Sequence, residues 1–195
     1  MIAAAAGYWS VMAITPGPNN VLLADSGLRF GLRNTVPLIL GVQTGVLVQN
    51  LLVGAGLGAV FVAHPAVQVG LKVAGTLYVL WMVWRSWSSS GLAERSSDRP
   101  VGFVAAAAFQ LVNPKSWLAS TASVSAFLHA DRVDLAMIVL LALVAMLVGT
   151  PCNVLWAVLG LTLKRLLSTP RALVAVNRML AALLAMTAGL FWLPT

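Results

Sequence analysis

The sequence predicts an all-α integral membrane protein: six transmembrane helices in two inverted three-helix repeats, with helices 1 and 4 broken. Three observations carry this prediction. Sixty per cent of the 195 residues are hydrophobic and 9% are charged, against about 45–50% and about 25% in soluble domains. The basic residues fall on one set of predicted loops. Proline-containing interruptions occur at matching places in the two halves of the chain.

The composition excludes several classes. So little polar surface leaves no soluble globule, and disorder needs the opposite balance. One cysteine, Cys152, makes no disulfide framework. The net charge of +7 would suggest nucleic acid in a soluble protein. Here no basic stripe is interleaved with aromatics, and basic loops on a membrane protein set its topology.

A spanning helix takes about 20 residues, and six apolar stretches have that length. They run over about 3–24, 36–63, 65–85, 101–128, 133–163 and 172–193. The first charged residue is Asp25, so the first stretch lacks the basic start of a cleaved signal and reads as a span. The second contains the pairs Gly41/Gly45 and Gly54/Gly58, which permit close helix approach. On it Gln43 and Asn50, seven residues apart, share a face that could line a cavity. The third ends in Trp81, Trp84 and Trp87, an interfacial aromatic belt. Residues 86–100, SWSSSGLAERSSDRP, are too polar for lipid and divide a first repeat (1–85) from a second (101–195), within one transmembrane domain. In the fifth stretch Pro151, Cys152 and Asn153 interrupt a long apolar run.

Charge then orients the spans. With the N-terminus outside, the inner side holds Arg29, Arg33, Arg85, Arg95, Arg99, Lys164, Arg165, Arg171 and Arg178. The outer loops hold Arg132 alone, and Lys72 and Lys115 fall within spans. This is a positive-inside pattern with both termini outside. Three spans per half make the second half enter the membrane the other way up.

The halves share an interruption: Thr15-Pro16-Gly17-Pro18-Asn19 in the first span and Asn113-Pro114-Lys115 in the fourth, about 97 residues apart. Broken helices at corresponding places in inverted halves point to a transporter binding site. Pro-Gly-Pro removes two backbone donors, and Gly17 between them permits dihedrals that other residues resist. The helix should stop near Thr15 and restart near Pro18, leaving N–H groups that attract anions. Asn19 and Asn20 add side-chain amides.

Lys115 lies roughly 14 residues, or about 20 Å, into its span, well inside a hydrocarbon core of about 30 Å. Lysines at that depth face a bundle interior or an aqueous cavity. No carboxylate lies at a similar depth, so Lys115 has no obvious charged partner; backbone carbonyls of the broken helices, or a substrate carboxylate, could fill that role. Asn113, Ser116, Ser120 and Ser123 follow on one helical face, open to either reading, interhelical packing or a pathway lining. His64 and His129 fall in predicted outer turns and make no metal site. No phosphate-cradling glycine loop is present.

These motifs resemble the lysine-exporter (LysE/RhtB) family of bacterial amino-acid exporters. The match rests on Thr15–Asn19, Gly31, the Gly41–Gly45 stretch, residues 71–80 (LKVAGTLYVL) and Asn113-Pro114-Lys115. Residues 107–117 (AAFQLVNPKSW) look most like the branch that exports cysteine and O-acetylserine. Ala126-Phe127-Leu128 departs from the Pro-Gln-Phe often seen at that place. The resemblance implies an inner-membrane exporter, not an enzyme, that is driven by the proton-motive force. Its cargo would be small neutral amino acids or derivatives, such as cysteine and O-acetylserine or threonine and homoserine. The substrate-binding residues would be Thr15, Pro16, Gly17, Pro18, Asn19, Asn20, Gln43, Asn113, Pro114, Lys115, Ser116 and Asn153. Asp25, at the inner end of the first span, is the nearest candidate for the coupling proton. No cofactor or metal is expected. The expected partners are an amino-acid substrate and the bilayer, without nucleic acid, and a homo-oligomer stays open. The alternative is an exporter of a metal or other inorganic ion, which would want acids, thiolates or imidazoles inside the bundle.

Overall fold

The computed structural model of the protein describes residues 1–57, 63–87, 99–128, 134–166, 169–190 and 192. Among them are seven α-helices and no strand: α1 (Ile2–Ile14), α2 (Pro18–Leu52), α3 (Pro65–Trp87), α4 (Phe103–Val112), α5 (Pro114–Phe127), α6 (Leu135–Leu166) and α7 (Pro170–Leu190). The first apolar stretch is thus α1 plus the start of α2, and the fourth is α4 plus α5. Both are interrupted where the prolines stand. Thirteen residues of α1 reach about 20 Å at 1.5 Å each. That falls short of a hydrocarbon core of about 30 Å, so α1 can only cross together with the start of α2.

The polar segment between the first two stretches differs from a loop. It stays helical on both sides of Gly31, where φ is 79° and ψ is 170°. Glycine takes a positive φ without steric cost. Ser26 and Thr35 meet across this kink, hydroxyl to hydroxyl at 2.9 Å. The second limb of α2 passes into a π-helical stretch, Val53–Leu57. The remainder of the second predicted span up to residue 62, with Gly58, lies outside the described residues, as do most of the polar stretch (88–98), His129 and Arg132.

Small residues set the packing. A Cβ on Gly27 would run into the Ala157 carbonyl of α6, and one on Gly160 into the Ala24 carbonyl of α2. Gly41 and Gly45 stand against Phe103, Ala106 and Gln110 of α4, and Gly54 against Ile138. The core joins Val21, Leu23, Leu28, Leu38 and Val42 to Phe109, Ala157, Val176, Leu180 and Leu184. The outer surface is apolar: Val104 is 76% exposed, Leu135 73% and Leu147 67%. Such a surface suits lipid and not water. Trp81, Trp84 and Trp87 are all exposed, as an interfacial belt requires. Helices α2 (Pro18–Leu57 with its extension) and α6 are each long and apolar enough to cross a membrane.

Lys164 Nζ, near the end of α6, donates to the Arg29 carbonyl beside Gly31 at 3.4 Å. The Arg178 guanidinium stands 5.5 Å from the centre of the Trp87 ring.

Candidate functional site

The two helix breaks meet. Helix α1 ends at Ile14, Thr15 turns extended, and α2 starts with Pro18 in its first turn. Helix α4 ends at Val112, Asn113 turns extended, and α5 starts at once with Pro114. A first-turn proline gives up an N–H that has no helical partner in any case. What each break frees is the carbonyls behind it.

Those carbonyls are satisfied by side chains from the other elements. Lys115 Nζ donates to the Thr15 carbonyl at 2.6 Å and the Pro16 carbonyl at 3.2 Å. Asn20 Nδ2 donates to the Ala13 carbonyl at 2.9 Å and the Thr15 carbonyl at 2.7 Å. A cation at a helix C-terminus also sits favourably in the helix dipole. At the second break, Pro114 has no N–H for the Gln110 carbonyl four residues back. Gln49 Nε2 supplies that bond at 2.5 Å, and the Ser116 hydroxyl donates to Gln49 Oε1.

An amide cluster locks the breaks to each other. Asn19 and Gln110 exchange both amide hydrogen bonds, each at 3.0 Å. Asn113 Nδ2 donates to Asn19 Oδ1 at 3.2 Å and to Gln110 Oε1 at 3.3 Å. Asn113 is 2% exposed and Gln110 0%. Buried amides left unpaired would cost about 1–3 kcal/mol each, so the pairing holds the two broken helices in one arrangement.

Beside this cluster lies a cavity of about 520 Å³ of atom-free space, including its mouth. Gly17, Pro18, Asn19 and Asn20 line it from the first break, and Asn113, Lys115 and Ser116 from the second. Gln43 of α2 and Asn153 of α6 complete the polar wall, while Trp9, Met12, Val46 and Ala119 form apolar wall. Among the described residues that line it, Lys115 alone carries charge.

The expected site residues thus divide. Nine line the cavity. Thr15 and Pro16 enter through their carbonyls, which hold Lys115. Pro114 turns away and packs against Gly75 of α3. Asp25 lies off the cavity, paired with Arg29 at 3.4 Å within α2.

Two readings need correction. Gly17 has φ −173° and ψ 176°, an extended backbone open to any residue, so its dihedrals do not call for glycine. Its missing side chain does matter: a Cβ there would lie 2.8 Å from Lys115 Cδ and 2.9 Å from Nζ. The Gln43–Asn50 face also divides. Asn50 faces α5 instead of the cavity and donates to Ser120 Oγ at 3.1 Å. The polar stripe on α5 is mostly interhelical: Trp9 Nε1 donates to Ser123 Oγ at 3.1 Å, and only Asn113 and Ser116 of the four reach the cavity wall.

Sequence reasoning gave no role to Gln49, Gln110 or Gly149. The signal for the glutamines was present, as amides inside apolar helices with a helix-breaking proline four residues beyond Gln110. Gly149 had none, because its part is to leave room for the Gln43 amide.

Residues 10–194 match the family model described as LysE type translocator. A cysteine/O-acetylserine efflux protein of Salmonella choleraesuis is 31% identical over 153 residues, covering 78% of each chain. A protein of the same description from Escherichia coli is 31% identical over 159 residues, covering 82% of each. No solved structure matches the chain.

Proposed function

The chain belongs to the LysE type translocator family, and from that premise we propose that it exports small neutral amino acids or their derivatives across the bacterial inner membrane. Cysteine and O-acetylserine, named for its relatives, are the first cargo to test. The observation that carries this reading is the meeting of two broken helices at a cavity whose charge is Lys115. A lysine at mid-membrane costs roughly 2.5–3.5 kcal/mol to insert. A substrate carboxylate would offset that cost, and the N–H groups at the Pro18–Asn20 helix start would share the anion. No acid lines the cavity among the described residues, so a second positive charge on the cargo would meet no partner there.

The proposed architecture has six crossings in two inverted halves, 1–85 and 101–195, with both termini outside. The contact between Lys164 and the Arg29 carbonyl brings two of the inner-side basic residues together, which supports that orientation. A reporter fused after Thr195 is expected to read outside, and one within residues 88–97 inside. A cytoplasmic signal from the C-terminal fusion would sink the topology and the inverted repeat with it.

Transport is proposed to be secondary and driven by the proton-motive force, with Asp25 as the proton-carrying group. Proteoliposomes holding the purified protein should show counterflow with labelled cysteine or O-acetylserine and little with lysine or arginine. Asp25→Asn should keep counterflow but lose acceleration by an imposed pH gradient. Absence of counterflow with every amino acid would reject the export reading. An Asp25→Asn protein still accelerated by the gradient would remove Asp25 from the mechanism alone.

A further inference from the structure

Resting on the reading of the cavity as an amino-acid site, we infer that it grips both ends of an α-amino zwitterion. Lys115 and the Gln43 amide N–H take the carboxylate, the Asn113 carbonyl oxygen takes the ammonium, and Gly17 and Gly149 are positioning residues for the carboxylate end.

Two buried polar atoms on the cavity's lining residues have no hydrogen-bond partner among the described residues: Gln43 Nε2 and Asn113 Oδ1. Their residues are 4% and 2% exposed, so bulk water does not serve them, and an orphan of this kind calls for a reason. The Asn113 amide is held in its orientation. Its N–H₂ group points at the oxygens of Asn19 and Gln110, and flipping it would set oxygen against oxygen. Its unpaired atom is therefore an acceptor. Lys115 spends two N–H groups on the Thr15 and Pro16 carbonyls and has a third to give. The site thus offers donors with a positive charge, from Lys115 and Gln43, and a neutral acceptor, from Asn113. A carboxylate fits the first and an ammonium the second. A fatty acid would leave the Asn113 oxygen unpaired, and a simple amine would leave the third Lys115 N–H and the Gln43 amide so. Asn50 and Trp156 also have a side-chain atom without a hydrogen-bond partner among the described residues, but both lie off the cavity and carry no such reading.

The two glycines fit this division. A Cβ on Gly149 would lie 2.7 Å from Gln43 Nε2 and 3.1 Å from Oε1. A Cβ on Gly17 would meet the end of Lys115. In each case the nearest atoms are those of one polar side chain. Alanine there would move the group that reads the carboxylate and leave the helix backbone unobstructed.

The test is competition in the counterflow assay, with the wild-type protein, Gln43→Met, Gly149→Ala and Asn113→Ser. Three unlabelled competitors are used: the transported amino acid, its 2-hydroxy analogue without the amine, and its carboxamide without the acid. For the wild type, both analogues should compete at least roughly tenfold less well than the amino acid, since a site built to pair a polar group rejects an analogue lacking it. Gln43→Met and Gly149→Ala should narrow the acid-over-amide preference severalfold and leave the amine-over-hydroxyl preference in place. Asn113→Ser should do the reverse. These ratios do not depend on how much protein folds. A hydroxy analogue that competes as well as the amino acid overturns the Asn113 assignment. An unchanged acid-over-amide ratio in Gly149→Ala and Gln43→Met overturns the carboxylate assignment, with export still standing. If the wild type exchanges no amino acid, export itself fails and this inference falls with it.

Discussion

Lys115→Met should lower amino-acid export by roughly 30-fold or more per folded molecule, because removing one partner of a charge pair that the bound substrate would shield from water costs about 2–5 kcal/mol. The structure sets two roles for this side chain against each other. As a cap, its ammonium satisfies the Thr15 and Pro16 carbonyls at the end of α1. As a binding group, it is the charge on the cavity wall. Methionine keeps the length and apolar bulk and removes both. Loss of the cap is the smaller effect. Asn20 Nδ2 still serves the Thr15 carbonyl, and only the carbonyl of Pro16, an exposed residue, is left without that donor. Folded protein should therefore fall modestly while transport falls much further. Lys115→Arg should recover only part, since the guanidinium is larger and planar and the gap at Gly17 already leaves under 3 Å to Lys115 Cδ for any added atom (2.8 Å). Export from membrane vesicles, divided by folded transporter measured by fluorescence-detected gel filtration, decides between the roles. Wild-type export from Lys115→Met would make the lysine a helix cap and nothing more.

Much of this arrangement was legible because lipid makes polarity informative. An apolar helix advertises its ends and its interruptions, so the described residues of the predicted stretches are largely helical, and the breaks fall at Thr15–Gly17 and at Asn113. That the breaks touch was suggested by their matching positions, about 97 residues apart. The partners were not legible. Periodicity places Gln43, Gln49 and Asn50 on faces of one helix, but it does not say which neighbour each face meets. Gln43 turned out to meet the cavity, Gln49 the broken end of α4, and Asn50 the serines of α5. Glycine was misread for a related reason. A sequence shows that a side chain is missing but not what fills its place, so Gly17 read as backbone freedom when it is room for Lys115. Gly31 is the opposite case, a kink whose positive φ does require glycine.

Gly160→Val is expected to remove more folded protein than any other single change considered for this chain, because it opens the seam between α2 and α6. A Cβ at Gly160 would meet the Ala24 carbonyl, with the carbonyl carbon at 2.8 Å and the Leu28 amide nitrogen at 2.9 Å. These are backbone atoms, on residues that are 0% and 1% exposed, so no side chain can rotate out of the way and the helices must separate. Overpacking a core usually costs about 1–3 kcal/mol; here the backbone itself must move, which puts the cost at or above the top of that range. Gly27 faces Ala157 across the same seam, so there is no slack to take up the shift. The consequence reaches the site, since α2 carries Pro18, Asn20 and Gln43 while α6 carries Gly149 and Asn153. Gly189 supplies the control: a Cβ there meets nothing within 4 Å, and valine is a somewhat better helix former than glycine. In detergent, Gly189→Val should keep the wild-type melting temperature and a single gel-filtration peak. Gly160→Val should lose the peak or melt many degrees lower, and Gly160→Ala should fall between them. If Gly160→Val melts with Gly189→Val, the helices are not in backbone contact at this point, and the seam does not position the cavity.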